Sequence, residues 1–471
     1  MDASEILKWD ATATATAIAA RKISSRDAVE AHLQRLDAVN GGINAVVDDL
    51  RAEALSAADA VDAAIARGER PGPMAGVPVT VKLNVDLARR ASSLGLVALK
   101  DAIAREDSPP VANLRKAGAI AIGRTNVPDF SLRWCTSNAL YGYTRNPWNP
   151  SLSVGGSSGG AAAALAVGIG ALAHGNDVAG SLRLPASACG VFGFKPTPGC
   201  LPRYNASAPA EPTMALQIGA TEGLMARSTR DLRLGLEVLA APDARDPLAR
   251  RAPAPDSSER RPCRVALYTG ERELGTASQI AGLVRKAGEW LEAAGYVVEE
   301  KAPPRLAELA DLWMAILHSE IAGPARAGMN AIASEGFRRS FADTAACVAA
   351  LDGEGYQEAW RRRHAILREW SMFFEDFPVL LTPVSCQPTY PVDHDVKGVD
   401  VMREILRAYA PLSAVAASLS PAISAPVGFA AGAPAGVQIV AAPFREERCL
   451  AAAAALERRM DPLLPIDPKA A

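Results

Sequence analysis

One lysine and two serines are placed where their chemistry would matter. Lys82 ends GVPVTVK, a mostly apolar run typical of a buried strand. Ser157 lies in the turn GGSSGG at residues 155–160, and Ser181 lies in the later turn DVAGS. A serine hydroxyl is a weak nucleophile that needs a base. Lysine is such a base when burial lowers its pKa towards neutrality, because burial disfavours the charged form.

Other interpretations of the glycine-serine turn agree less well with the sequence. A phosphate-binding loop needs lysine and then serine or threonine after its last glycine, whereas Ala161 follows here. A flexible linker is disfavoured because the next run, AAAALAVGIGALA, has to be buried. Residues 155–159 match GxSxG, but a nucleophile elbow follows a buried strand, and residues 146–153 are rich in turn-forming residues. None of the histidines has a context that marks it as a base.

The turn before Ser181 offers a second requirement for hydrolysis by an activated serine. Val178, Ala179 and Gly180 present consecutive backbone N–H groups just before a predicted helix, where such groups stabilise an oxyanion. For Lys82 one alternative stays open, a charged residue that protects an edge strand from pairing. The residues alone therefore indicate a serine hydrolase with a lysine base.

The composition limits the class of protein. The 471 residues are 49% hydrophobic and 22% charged, which suffices for a large core and excludes global disorder. The formal net charge of −2 argues against nucleic-acid partners and a basic membrane-binding surface. Residues 146–176 and 408–444 lack charged side chains. The apolar run in the first is too short to cross a bilayer, and prolines interrupt the second.

The cysteines and histidines give no sign of a metal site. Seven cysteines are scattered without a CxxC pair, and the five histidines are scattered too. We therefore expect no disulfide framework, no bound metal and a reducing compartment. Residues 1–20 have no basic region before an apolar core, so we expect no secretory signal and a cytoplasmic location.

The hydrophobic periodicity and the positions of turn-forming residues predict an α/β chain. Helices are expected from Ser24 or Ser25 to about residue 41 and over residues 50–66, and strands over 77–84 and 378–383. The strand–helix–strand order over 264–299 implies parallel pairing. Residues 242–262 mix proline, alanine, arginine and aspartate without periodicity, which predicts an exposed connection.

Several segments together resemble the amidase signature family. They are GVPVTVK ending at Lys82, GGSSGG at 155–160, DVAGSLRLP at 177–185 and FGFKP at 192–196. RNPWN at 145–149 and the PVG…GVQIV pattern at 426–440 extend the resemblance over most of the chain. Each motif is short, but their order and spacing make the resemblance specific. It implies an α/β domain over 71–471, with a mixed, largely parallel sheet flanked by helices on both faces, and a helical appendage over 1–70.

The resemblance also implies roles for individual residues. Ser181 matches the nucleophile, Ser157 the bridging serine and Lys82 the base, while Ser158 would be structural. Gly156 would precede Ser157 in a cis peptide. Asp177 and Arg183 match a pair that braces the oxyanion turn; the alternative is a plain buried ion pair. The resemblance implies no metal and no organic cofactor.

The sequence departs from the family pattern in three places. Leu83 stands where aspartate is usual, and Asn176 and Ala179 stand where threonine and glycine are usual. Ala179 must use ordinary backbone angles or accept strain. In the segment that borders the family's cleft, Arg133, Trp134 and Cys135 are candidate substrate-binding residues. Arg133 would pair an anionic substrate group; the alternative is a packing role facing away from the cleft.

The expected activity is hydrolysis of a carboxylic amide to an acid and an amine or ammonia, through a seryl acyl-enzyme. Two alternatives stay open. One is an amidotransferase-type subunit that hydrolyses glutamine for a partner, and the other is a non-catalytic amide-binding relative. A small-molecule substrate is expected, without nucleic acid or membrane, and a homodimer is the assembly considered.

Overall fold

The structure, a computed structural model, describes residues 2–69, 72–250 and 257–470. Its strands are β1 (Val46–Asp49), β2 (Pro78–Lys82), β3 (Ile120–Thr125), β4 (Ser137–Asn138), β5 (Gly142–Tyr143), β6 (Leu172–Asp177), β7 (Phe192–Lys195), β8 (Thr221–Ala226), β9 (Arg264–Leu267), β10 (Val297–Glu300), β11 (Val379–Pro383), β12 (Ala422–Ala430) and β13 (Ala433–Ala441).

The helices of the first half are α1 (Ala3–Lys8), α2 (Ala11–Ala19), α3 (Ser25–Ile43), α4 (Arg51–Ala66), α5 (Pro109–Lys116), α6 (Gly159–Ala166), α7 (Arg183–Cys189), α8 (Met214–Gly219) and α9 (Thr229–Leu239). Those of the second half are α10 (Glu271–Leu274), α11 (Ser278–Glu292), α12 (Leu306–Glu320), α13 (Pro324–Ile332), α14 (Glu335–Cys347), α15 (Gly353–Asp376), α16 (Val399–Ala408), α17 (Ala410–Ala417) and α18 (Glu446–Glu457). Short 3₁₀ turns lie at Val97–Leu99, Asp129–Ser131, Ser257–Arg260 and His394–Val396.

One large mixed sheet organises the molecule. Its strand order is β1-β3-β2-β6-β8-β7-β12-β13-β11-β9-β10. Parallel pairs lie towards its two ends, β3–β2–β6 and β11–β9–β10, and antiparallel pairs run through the middle from β6 to β11. The predicted α/β class with a mixed sheet is confirmed. The parallel pairing of β9 and β10 around α11 is confirmed as well.

Helices cover both faces of the sheet because the central strands are apolar on both sides. In β13, Ile439 packs into one core cluster with Leu450 of α18. The next residue, Val440, packs into another cluster with Leu412 of α17. Every residue of β2 and β13 is buried. Since β2 lies between β3 and β6, Lys82 is on an interior strand, and the edge-strand explanation for this lysine is wrong.

The alanine-rich run after the glycine-serine turn is shorter as a helix than the sequence suggested. Helix α6 ends at Ala166, and β6 begins at Leu172. Gly168 and Gly170 have φ values of +85° and +80°, a conformation that stops a helix and that glycine adopts without strain. The run therefore supplies both a buried helix and the start of a strand.

The N-terminal segment is joined to the sheet. Helix α3 begins with a capping box between Ser24 and Asp27, as the sequence predicted for its start. Strand β1, from the same segment, pairs with β3 and forms one edge of the sheet. Within the predicted connection, 242–262, residues 251–256 lie outside the described residues. The described parts contact the rest of the molecule: the Arg250 amide donates to the Gly199 carbonyl, and Glu259 pairs with Arg445.

Among the helices of the described ranges, none combines the length and the apolar character that crossing a membrane requires.

Candidate active site

The sheet brings the predicted base and nucleophile to one edge. Strands β2 and β6 are parallel neighbours, so their carboxyl ends lie side by side. Lys82 is the last residue of β2, and Ser181 follows in the turn between β6 and α7. Ser157 lies in the loop that enters α6, and the Ser158 amide donates to the Ser181 carbonyl over 3.1 Å. The two serine turns are thus in direct contact.

Lys82 is fully buried and points at Ser157. Its Nζ lies 2.8 Å from the Ser157 hydroxyl and 2.6 Å from Oδ1 of Asn176. Burial lowers the pKa of Lys82 to about 7, although the carboxylates of Glu222 and Asp177 oppose this effect. An amine with such a pKa is substantially neutral near pH 7, as a general base must be.

The peptide bond between Gly156 and Ser157 is cis. The loop is packed closely here, because a Cβ on Gly156 would lie 2.3 Å from the Arg133 carbonyl oxygen. Only glycine leaves room for that approach. A side chain at position 156 would therefore collide with the segment that carries Arg133.

The Ser157 and Ser181 hydroxyls face the same cavity but, among the described residues, are not hydrogen-bonded to each other. This cavity, of about 180 Å³, is lined on its polar side by Asn84, Arg203 and Glu222. A second cavity, of about 110 Å³, also opens onto Ser181. Its walls are mostly apolar: Leu132, Trp134, Val178, Leu216, Met314, Leu317, Ile321 and Phe341. Ser181 therefore lines both cavities, and Asn84, Arg203 and Glu222 line the larger of the two.

Asp177 and Arg183 hold the turn that carries Ser181. Arg183 donates through Nε and Nη2 to both carboxylate oxygens of Asp177, at 3.0 and 2.8 Å, and both side chains are fully buried. Burial raises the pKa of Asp177, but the charge and hydrogen bonds of Arg183 outweigh it and lower this pKa to about 2. Arg183 also donates to Gln438 and to the Leu412 carbonyl, which ties the turn to β13 and α17.

The backbone of the turn corrects one prediction. The Gly180 amide donates to Asp177 over 2.7 Å and is not free to bind an oxyanion. In the described structure the amides of Val178, Ala179 and Ser181 have no such partner, so they are the donors that remain. Positive φ falls on Gly180, at +122°, and not on Ala179. Alanine is therefore accommodated with ordinary backbone angles.

Arg133, Trp134 and Cys135 have different surroundings. The Arg133 guanidinium donates to Asp395 at 3.0 and 2.7 Å and to Asp393 at 2.9 Å. The guanidinium that would bind an anionic substrate group is thus already paired, which favours a structural role for Arg133. Arg133 also lines the apolar cavity beside Ser181, so it does not face away from the cleft. The Trp134 ring lines the apolar cavity and packs 5.1 Å from the Tyr409 ring, centroid to centroid. Cys135 is buried, and burial raises its pKa to about 12, which makes it a poor nucleophile.

Sequence reasoning missed the polar residues around the base. Asn176 appeared there only as a departure from the family pattern, yet its Oδ1 accepts from Lys82. Asn84 and Asn176 exchange side-chain hydrogen bonds of 3.2 and 3.1 Å, which fix the amide orientation. Glu222 and His174 were not singled out. The sequence did contain one signal, since Glu222 is a charged residue within the otherwise apolar stretch that forms β8. In the structure Glu222 lies opposite Asn176.

Comparison with known proteins agrees with this site. A sequence model of the family described as Amidase matches residues 27–450. The chain belongs to the amidase family. The amidase signature resemblance is thereby confirmed, and so is amide hydrolysis as the class of reaction.

Individual amidase relatives cover nearly the whole chain. An indoleacetamide hydrolase from Bradyrhizobium diazoefficiens is 41% identical over 96% of this chain and 87% of its own. A component of the glutamyl-tRNA(Gln) amidotransferase from Moorella thermoacetica is 34% identical over 93% of this chain and 94% of its own. The structure of 6-aminohexanoate cyclic dimer hydrolase superimposes with a TM-score of 0.83, at 28% identity over 98% of this chain and 99% of its own.

Proposed function

We propose that this amidase hydrolyses the primary amide of a small acid with an aromatic acyl group, releasing ammonia. The contact that carries the chemistry is the one between Lys82 Nζ and the Ser157 hydroxyl, 2.8 Å apart in a buried environment. The substrate class rests on the apolar cavity beside Ser181 and on the similarity to indoleacetamide hydrolase.

Catalysis begins with two proton transfers. Neutral Lys82 takes the Ser157 proton while Ser157 takes the Ser181 proton, and the Ser181 oxygen attacks the amide carbonyl. The hydroxyls of Ser157 and Ser181 close to hydrogen-bonding distance in the substrate complex, since catalytic contacts often tighten only there. The free amides of the 178–181 turn stabilise the oxyanion, and Asp177 and Arg183 keep these donors in place.

Collapse of the tetrahedral intermediate breaks the C–N bond. Ser157 returns a proton to the departing nitrogen, which leaves as ammonia, and Ser181 carries the acyl group. Water then attacks this ester by the same relay, giving the free acid and restoring the Ser181 hydroxyl. One amide and one water yield one acid and one ammonia.

The acyl group has a defined place in this scheme. Trp134 and Phe341 contribute aromatic surface to the apolar cavity, and no carboxylate is found among the described residues that line it. An aromatic ring buried there gains from apolar contact. The nitrogen departs and water enters through the larger cavity, whose lining includes Asn84, Ser157 and Glu222.

Turnover of indoleacetamide, acetamide and glutamine by the purified chain tests the proposal, with ammonia release as the readout. The expected result is turnover of indoleacetamide with kcat/KM at least about 100-fold above acetamide, because burying a ring supplies about 3 kcal/mol. A preference for glutamine would favour the amidotransferase alternative.

A fluorophosphonate separates catalysis from simple amide binding. The wild type is expected to be labelled, and Ser181→Ala is expected to lose the label. An unlabelled wild type that still binds indoleacetamide would instead support a non-catalytic amide-binding protein.

A further inference from the structure

Glu222 lies on β8, a strand that carries no member of the proposed relay, and it lines the cavity that Ser157 and Ser181 share. In the antiparallel pair of β6 and β8, Glu222 is directly opposite Asn176. Opposed residues project from the same face of a sheet, and both line the cavity that also holds Ser157 and Ser181. We infer that Glu222 is a positioning residue for Lys82, whose carboxylate sets the balance between protonated and neutral amine and hence the pH at which the relay starts to work.

His174 keeps this carboxylate in place. It lies two residues before Asn176 on the same face of β6, and its Nε2 is 2.9 Å from Oε2 of Glu222. An ionised carboxylate only accepts hydrogen bonds, so Nε2 carries the proton. In the described structure Nδ1 is buried without a partner, and a second proton there would have no acceptor. The His174–Glu222 pair with a neutral imidazole therefore retains one negative charge.

The other charged groups around Lys82 are largely compensated. Asp177 of β6 is neutralised by Arg183 of α7. On β3, Arg124 donates to the Leu83, Val85 and Ala91 carbonyls and pairs with Asp48.

Two cations lie further along the sheet. Lys195 of β7 donates to the Pro196 and Ser420 carbonyls. Arg203 is 4.0 Å from Glu222 and one quarter exposed, so solvent screens it. Leu83, directly after Lys82, is apolar and buried. Among the described residues that line this cavity, Glu222 is thus the carboxylate without a close, buried arginine or lysine partner.

The direction of the effect follows from electrostatics. Burial lowers the pKa of Lys82, and Glu222 is the stronger of the two carboxylates that oppose it. Burial also raises the pKa of Glu222, but the hydrogen bond from His174 and the positive charges of Arg203 and Lys82 bring it below its ordinary value, so the carboxylate is ionised. Removing this negative charge lets the pKa of Lys82 fall further, and the neutral amine persists to lower pH.

The test follows the rate of fluorophosphonate inactivation over about pH 5 to 9 in the wild type and in Glu222→Gln. This rate reports serine activation without a substrate. A fall of the acidic midpoint by about 0.5 pH raises the ratio of the rates at pH 6 and pH 8 by roughly threefold. We expect at least that change. A loss of rate at every pH with an unmoved midpoint would reduce Glu222 to a structural residue and overturn the inference.

The inference rests on the proposed role of Lys82, and Lys82→Ala separates the two. If Lys82→Ala reacts at the wild-type rate, the proposed function fails. If it is inactive and Glu222→Gln has an unchanged midpoint, only the inference about Glu222 fails.

Two further variants complete the test. Glu446→Gln neutralises another buried glutamate, one that accepts from the Thr197 amide at 2.9 Å, and it should leave the midpoint unchanged. Glu222→Asp keeps the negative charge but moves it further from Lys82 by one methylene. The acidic midpoint of this variant should therefore lie between those of the wild type and Glu222→Gln. Should Glu222→Gln not fold, a Glu222→Asp midpoint at or above the wild-type value would overturn the inference.

Discussion

Lys82 Nζ is closer to Oδ1 of Asn176, at 2.6 Å, than to the hydroxyl oxygen of Ser157, at 2.8 Å. The amide oxygen only accepts hydrogen bonds, so one N–H of the lysine is directed at Asn176 in either protonation state. In the neutral amine the lone pair is then free to accept the Ser157 proton. Asn176 is thus placed to orient Lys82 for its proposed role as the base.

Replacing Lys82 with alanine should lower kcat/KM by about 10³-fold, because a positioned general base contributes about that factor. Lys195→Met is the matched control. Lys195 is also fully buried with a pKa lowered to about 7 by burial, but it donates to the Pro196 and Ser420 carbonyls, away from the serines. Its removal should cost stability and leave the activity of the folded protein near wild type. Equal losses in the two variants would contradict the role of Lys82.

Ser157→Ala and Ser158→Ala should differ sharply. Removing the Ser157 hydroxyl breaks the relay and should lower kcat by at least about 10²-fold. The neighbouring Ser158 hydroxyl makes only a 3.4 Å contact with the Asn176 carbonyl. Its removal should therefore change kcat by less than about threefold, that is, by under about 1 kcal/mol. Steady-state kinetics gives kcat for both variants, and circular dichroism verifies that both are folded.

The pH dependence of kcat/KM should show an acidic limb with a midpoint near the Lys82 pKa of about 7. The sign follows from the role of a base: below this pH the amine is protonated and cannot accept from Ser157, and above it activity reaches a plateau. A stopped assay of ammonia release across the range gives the midpoint. Full activity well below it would exclude Lys82 as the base.

Asn176→Asp should move that limb to higher pH. A carboxylate 2.6 Å from Nζ stabilises the ammonium form and raises the pKa of Lys82. The variant should lose activity at neutral pH and recover part of it in alkaline buffer. This displacement is opposite to the one expected for Glu222→Gln, so the two variants check each other.

Arg133→Ala should destabilise the fold without changing substrate selectivity. Arg133 and Asp395 are both buried, and removing one partner of such a pair costs roughly 3–5 kcal/mol. Thermal unfolding should show a lower Tm, and the double variant with Asp395→Ala should lose less than the sum of the single losses. If acidic amides suffered a much larger loss of kcat/KM than neutral ones, Arg133 would be a substrate-binding residue after all.

Much of this protein follows from local sequence. The capping box of α3, the apolar run of β2 and the strand–helix–strand unit around α11 are short-range patterns that tertiary packing did not override. The secondary structure of the alanine-rich run was harder to predict, because its apolar residues suit a buried helix and a buried strand equally well. Gly168 and Gly170 divide it, through backbone conformations that composition does not reveal.

The order and spacing of the motifs allowed the sequence alone to single out Lys82, Ser157 and Ser181 as candidates for amide hydrolysis. The surroundings of these side chains depend on the tertiary structure. Arg133 pairs with Asp395, which lies far away in sequence, and Glu222 lies opposite Asn176 because β8 pairs with β6 in one register. The physical reason is that burial and long-range pairing set the charge state of an ionisable group, and neither is encoded in its immediate neighbours.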